Sequence, residues 1–154
     1  RIRDMSIQNR FQDQNKTASD FYQEVWVVCP VCQKKAIAKT FREKKVARLQ
    51  CLSCSYNKEV SMESEIAGHK VLNLSSANYF FRAELWLQHS FKDDVFVAYN
   101  GEELDYLEAY ISAKLREHKD RTHFTLLEKL PRFYHEAKNR DTLLKLIAKL
   151  KNKK

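Results

Sequence analysis

With 154 residues, 44% of them hydrophobic and 12% aromatic, the chain can build one ordinary domain, or a small metal module joined to a second compact unit; the composition argues against wholesale disorder. Only two Gly and two Pro are present, which argues against linkers, collagen-like repeats and loop-rich scaffolds. The net charge of +8 is unevenly spread: residues 25–62 carry eight Lys/Arg against two Glu, residues 122–154 nine against three acids, and residues 63–121 seven against eleven. Two basic blocks thus flank an acidic middle, a pattern that attracts phosphate backbones or simply keeps Lys-rich faces solvated.

Apolar runs such as Val25-Trp26-Val27-Val28 are too short to cross a bilayer, and no signal-peptide hydrophobic region stands near the start. The cytoplasm is therefore the expected compartment. Met5 is the expected native start, with Arg1–Asp4 as added residues.

Residues 1–24 are polar and weakly periodic, and read as a flexible arm with one helical turn around Ala18 to Gln23. A module at 25–62 follows, made of short strand-like pieces: Glu24 to Val28, Lys35 to Arg42, Val46 to Gln50 and Tyr56 to Met62. Arg42-Glu43-Lys44-Lys45 reads as a charged hairpin tip between the second and third. The region 63–154 is expected to hold a β-hairpin and a helical part. Ala77 to Leu87 and Val95 to Tyr99 look like its strands, with Lys92-Asp93-Asp94 as the turn. Asn100 reads as an N-cap, followed by Glu102, Glu103 and Asp105 in the first turn. Leu104, Leu107, Ile111 and Leu115 then mark one face of a helix to about Lys119. Phe124 to Leu130 is a further helical stretch stopped by Pro131, Arg132 to Lys138 a short helix, and Asp141 the cap of a last one with Leu143, Leu144, Leu146, Ile147 and Leu150 apolar.

The residues that carry chemistry are Cys29-Pro30-Val31-Cys32 and Cys51-Leu52-Ser53-Cys54, separated by eighteen positions (33–50). That spacing is the one by which two Cys-x-x-Cys knuckles face each other across a hairpin and close a tetrahedron of thiolates around one zinc ion. Val28 and Leu52 are expected to shield the site. Two disulfides suit a secreted mini-protein better, a thioredoxin-like motif uses one Cys-x-x-Cys, and iron accepts the same four thiolates. Nothing else reads as catalytic, so the chain is expected not to be an enzyme: there is no Gly-rich phosphate loop, and His69, His89, His118, His123 and His135 are scattered.

Lys34, Lys35, Lys39, Arg42, Lys44, Lys45 and Arg48 crowd the same hairpin, with Phe41 available to stack on a base. They are the candidate nucleic-acid contacts, although lysines that protect a solvated strand edge would look the same. The aromatic cluster Tyr79, Phe80, Phe81, Trp86, Phe91, Phe96 and Tyr99 is expected to be core.

Beyond the cysteines, Leu85-Trp86-Leu87-Gln88, Ala98-Tyr99-Asn100, the run Leu104 to Ile111, Ala113 to Glu117, Leu130-Pro131 and Ala137 to Arg140 occur in order. Together they make the chain resemble a family of small bacterial proteins, the transcription-factor-IIB-type zinc-ribbon proteins, over about residues 25 to 152. The resemblance implies Cys29, Cys32, Cys51 and Cys54 as ligands and names no activity. Relatives carry Cys-Cys-Gly where this chain has His89 to Asp93, and Gly after each knuckle where it has Gln33 and Ser55. The expected fold is α+β: an antiparallel four-cysteine zinc ribbon packed with a β-hairpin and two or three C-terminal helices. The expected role is a non-catalytic binding module for nucleic acid. The alternative partner is a protein such as a toxin, met by an acidic helix at 102–108.

Overall fold

The computed structural model describes residues 10–12, 16–113, 115–117 and 126–154. The protein is α+β, with one four-stranded antiparallel sheet, three two-stranded pairings and three α-helices among the described residues. It divides into two compact units, one of Phe21–Gly101 and Lys154, the other of Arg1–Asp20 and Glu102–Lys153. No helix among the described residues is long and apolar enough to cross a membrane.

In the first unit, β2 (Glu24–Val28), β3 (Lys35–Phe41), β4 (Val46–Cys51) and β5 (Asn57–Ser61) pair antiparallel in that order. The four strand-like pieces of the sequence therefore all form, and Arg42–Lys45 is the tip turn between β3 and β4, as the charge cluster implies. Alternation decides the faces. Val25, Val27, Ala36, Ala38, Ala47, Leu49 and Cys51 point inward and are buried. The register sets Val25 opposite Ala38, Val27 opposite Ala36, and Ala36 opposite Cys51. Three of these inward positions are alanine, which lets backbone come close. A 3₁₀ turn at Ala77–Phe81 lies against β2, β3 and β4, and its Ala77 N–H donates to the Tyr22 carbonyl at 2.8 Å.

That turn corrects the sequence reading, which makes Ala77 to Leu87 a strand. Tyr79, Phe80 and Phe81 follow one another without alternation, so no single face could be buried, and the chain coils until Arg82 adopts a left-handed φ of 49°. The hairpin strands are β8 (Leu87–Phe91) and β9 (Asp94–Ala98). Trp86, Phe91 and Phe96 are buried as expected, Phe81 and Tyr99 pack on the sheet's inner side, and Tyr79 is exposed. The outer edge of β2 is partly satisfied by the residues that flank this hairpin: Val28 N–H donates to Glu84 O, Trp86 N–H to Trp26 O, and Trp26 N–H to Tyr99 O at 2.7–2.9 Å. A further hairpin, β6 (Glu63–Ile66) and β7 (His69–Leu72), was not expected from the pattern. Ala67 and Gly68, both at positive φ, make its two-residue turn.

In the second unit, α1 (Gly101–Ser112) buries Leu104, Leu107 and Ile111 as the periodicity requires. It ends at Ser112 and not near Lys119, because the chain passes into a strand: β10 (Leu115–Glu117) pairs in parallel with β1 (Arg10–Gln12). The polar arm accordingly contributes a strand at residues 10–12 and a 3₁₀ turn at Ala18–Asp20. Helix α2 (Leu126–Lys129) stops before Pro131; Phe124, His118, His123 and Lys119 lie outside the described residues. Arg132 to Lys138 is not a helix but parts of two 3₁₀ turns, Arg132–Tyr134 and Ala137–Asn139. Helix α3 (Arg140–Lys151) has Asn139 at the N-cap and not Asp141, which falls in the first turn. Asn139 donates from its side chain to the Phe133 carbonyl at 3.1 Å, fixing the entry to the helix. Leu143, Leu146, Ile147 and Leu150 are buried, and Leu144 only half so.

Gly101 sits against the Trp26 ring: a Cβ there would lie 2.7 Å from Cη2 and 3.1 Å from Cζ2. Alanine would normally strengthen a helix start, but here it must push a rigid indole. Gly101→Ala is expected to destabilise the protein by about 1–3 kcal/mol, the usual cost of overpacking, read as a lower denaturant midpoint at unchanged slope.

Candidate metal centre

Each knuckle begins where a ribbon strand ends. Cys29 follows β2, and Cys51 is the last residue of β4. The two loops then repeat the same backbone hydrogen bonds. Cys29 N–H donates to Lys34 O at 2.8 Å and Gln33 N–H to Cys29 O at 2.9 Å; Cys51 N–H donates to Tyr56 O at 2.9 Å and Ser55 N–H to Cys51 O at 3.0 Å. Closing so tight a loop needs a left-handed residue one place after the second cysteine. Gln33 has φ 63° and Ser55 φ 67°, the two positions where glycine would be free of strain.

The loops bring the four thiols together. Cys29 Sγ lies 3.6 Å from Cys54 Sγ, Cys32 Sγ lies 3.5 Å from Cys51 Sγ, and all four sulfurs fall within 4.8 Å of one another. None is in a disulfide. A tetrahedron with metal–sulfur bonds of about 2.3 Å has edges of about 3.8 Å, so the donors stand at ligand spacing, far beyond the ~2.05 Å of a covalent bridge. The four cysteines could hold one metal ion.

Cys29 and Cys51 are buried, Cys32 is intermediate and Cys54 exposed. The inner side is closed by the sheet core, with Ala77, Phe81 and Tyr56 packed in the same cluster as the thiols. Val28, also expected as a shield, is half-buried. Leu52, expected as a shield, is instead 79% exposed at a knuckle tip, as Val31 is at the other (63%). Both occupy the middle of a Cys-x-x-Cys, where the side chain must turn away from the sulfurs.

Local dipoles prepare the thiols for metal. Burial pushes the Cys29 thiol up, but the N–H groups of Cys32 and Val31, with the neighbouring thiols of Cys54 and Cys32, more than offset this and lower it to about 6. The N–H of Cys54 is the main influence on Cys51 and lowers it against its burial. Cys54 receives the Tyr56 N–H, but desolvation of its sulfur and the three surrounding thiols outweigh that donor and hold it up at about 12. One thiol ionises readily and the last resists, as expected of four sulfurs competing for one region of space without a cation.

The candidate nucleic-acid residues are not brought to one place. Lys34 and Lys35 stand at the metal end, Arg42, Lys44 and Lys45 at the far tip, and Lys39 and Arg48 directly opposite each other mid-sheet. Lys34, Lys35, Lys39, Lys44 and Lys45 are exposed, while Arg42 and Arg48 are intermediate. Sequence reading missed their acidic partners: Glu24 on Lys39 at 3.6 Å, Glu59 on Arg48 at 2.8 Å and Glu63 on Lys45 at 3.9 Å. It also missed Trp26, whose ring carries Lys35 Nζ 3.9 Å above it. The signal lay in the strand register, since residues 24, 39, 48 and 59 form one cross-strand row.

No family model, curated protein or solved structure matches the chain.

Two outcomes follow from this geometry. Between about pH 6 and 12, where Cys29 is ionised and Cys54 is not, metal entry displaces at least the Cys54 proton. Metal affinity should therefore rise with pH across that window, about tenfold per unit for each proton displaced, and fall more steeply below it; chelator competition at several pH values reads this. Ser55→Gly should raise the stability of the metal-loaded protein by about 0.5–1 kcal/mol, the relief of left-handed strain less the extra freedom of the unfolded chain, in a denaturant titration.

Proposed function

We propose that the protein is a non-catalytic binding module organised by one structural zinc ion, of the transcription-factor-IIB ribbon type, with nucleic acid as its partner. The carrying observation is the four-thiol cluster at ligand spacing. Cys29, Cys32, Cys51 and Cys54 fill all four positions of a tetrahedral ion, so no site remains for water or substrate. Bound there, zinc would supply folding free energy, on the order of 10–16 kcal/mol in zinc-finger peptides. Soft tetrathiolate sites suit iron as well, and elemental analysis separates the two.

The nucleic-acid part rests on the +6 charge of residues 25–62 and on the exposed lysines of β3 and the tip. A partner bound through the acidic helix has less to hold: Glu103 is buried, and Asp105 and Glu108 both engage Lys151, at 2.9 and 2.6 Å. The purified protein should carry one zinc per chain by mass spectrometry of the metal, and Cys51→Ser should lose it together with the ribbon's cooperative melt. Binding of labelled DNA or RNA should weaken steeply with salt, by the release of counterions from each neutralised phosphate. Retained metal in Cys51→Ser would end the zinc reading, and no binding at low salt would end the nucleic-acid one.

A further inference from the structure

The side of the ribbon facing away from the alanine core has a charge pattern that the metal does not require. The row across β2, β3, β4 and β5 reads Glu24, Lys39, Arg48, Glu59. Lys39 and Arg48 are direct neighbours, an arrangement of like charges that costs a sheet stability. Each is held from outside by its glutamate, Lys39 at 3.6 Å and Arg48 at 2.8 Å. Two residues toward the tip, Phe41 lies on the same face, with Lys39 Nζ 5.8 Å and the Arg48 guanidinium carbon 5.4 Å from its ring centre. A recess of about 280 Å³ opens here, lined by the charged residues Glu24, Lys39 and Arg48 and by Ile37, Phe41, Gln50 and Leu52. Its size falls just below that of small-ligand clefts, roughly 300 Å³ and upward.

The recess therefore combines an aromatic ring, a guanidinium plane, an apolar strand residue, a primary amide and an adjacent lysine. An acidic peptide would use the cations and leave Phe41 and Ile37 without a partner. A duplex would engage the cations through its phosphates, but its bases are already stacked and offer Phe41 no face. We propose that this recess takes one nucleotide of a single-stranded nucleic acid. Its base stacks on Phe41 and the Arg48 guanidinium, and its flanking phosphates draw Lys39 and Lys35 away from Glu24 and the Trp26 ring. This rests on the nucleic-acid reading above and narrows it to one strand and one face.

The test is fluorescence anisotropy of the full, metal-loaded chain with labelled single strands and with the same sequences as duplexes, polyglutamate serving as competitor. Single strands should bind tighter than duplexes, and polyglutamate should compete poorly. Phe41→Leu should weaken binding about tenfold or more, the effect of losing one stacked base, and Phe41→Trp should restore it. Lys39→Met should reduce the slope of log affinity on log salt by about one. Glu24→Gln should tighten binding several-fold, because it removes the carboxylate that competes with phosphate; a gain of this kind cannot come from misfolding. Duplex bound as tightly as single strand, efficient competition by polyglutamate, or indifference to both Phe41→Leu and Glu24→Gln would overturn the assignment while leaving nucleic-acid binding in place. No binding of any strand would overturn both.

Discussion

The first unit depends on four sulfur atoms held within 4.8 Å of one another. Without a cation such a cluster is unfavourable, since each thiolate raises the cost of ionising the next, and Cys54 at about 12 shows the strain of being last. With a cation the same proximity would become an attraction shared by all four thiolates. The inner face of the sheet carries small side chains, three alanines with two valines and one leucine, covered by the 3₁₀ turn at Ala77–Phe81 and by Tyr22, Leu85 and Tyr99. At about 25 cal/mol per Å² of buried apolar surface, alanines contribute little each, so a metal is the natural remedy for a sheet this small.

The backbone is shaped to the same end. Both knuckles hold a non-glycine residue in the left-handed region, at Gln33 and Ser55, each costing roughly 1–2 kcal/mol. Such strain persists only where surrounding interactions over-determine the conformation. Paired hydrogen bonds that clamp each loop at both ends do part of this, and N–H groups aimed at Cys29 and Cys51 Sγ do the rest by stabilising negative charge on sulfur.

Much of the ribbon was legible because its signals are local. Alternation from Val25 to Val28 and from Lys35 to Phe41, a charged tip, and two spaced Cys-x-x-Cys pairs each constrain a few neighbouring residues. What was not legible depends on partners distant in sequence. Arg10–Gln12 becomes a strand only because Leu115–Glu117 offers an edge more than a hundred residues later. Ala77–Phe81 looks like a strand by composition and coils because an alanine-lined sheet accepts a compact turn. Leu52 stands beside Cys51 in the sequence, yet the geometry of a knuckle points that side chain to solvent. Among the candidate contacts, the list of basic residues was readable, but their division into metal end, middle and tip came only with the register.

That register connects the metal to the outer face. A slip of β4 by one residue along β3 would turn Arg48 into the alanine core and bring Leu49 to solvent beside Lys39, since side chains alternate with period two. Inward packing by alanines alone specifies register weakly, because small side chains interlock little. The cysteines specify it strongly: β2 runs directly into Cys29, β4 ends on Cys51, and Cys51 lies opposite Ala36. Only one alignment brings sulfurs from both knuckles to a common point. A metal at that point would thus fix the pairing of Ala38 with Leu49 and of Lys39 with Arg48, and hold two cations side by side although they repel. An ion held there would act at one end of the ribbon, but its structural consequence would be a defined arrangement of charge and aromatic surface along the sheet's whole length.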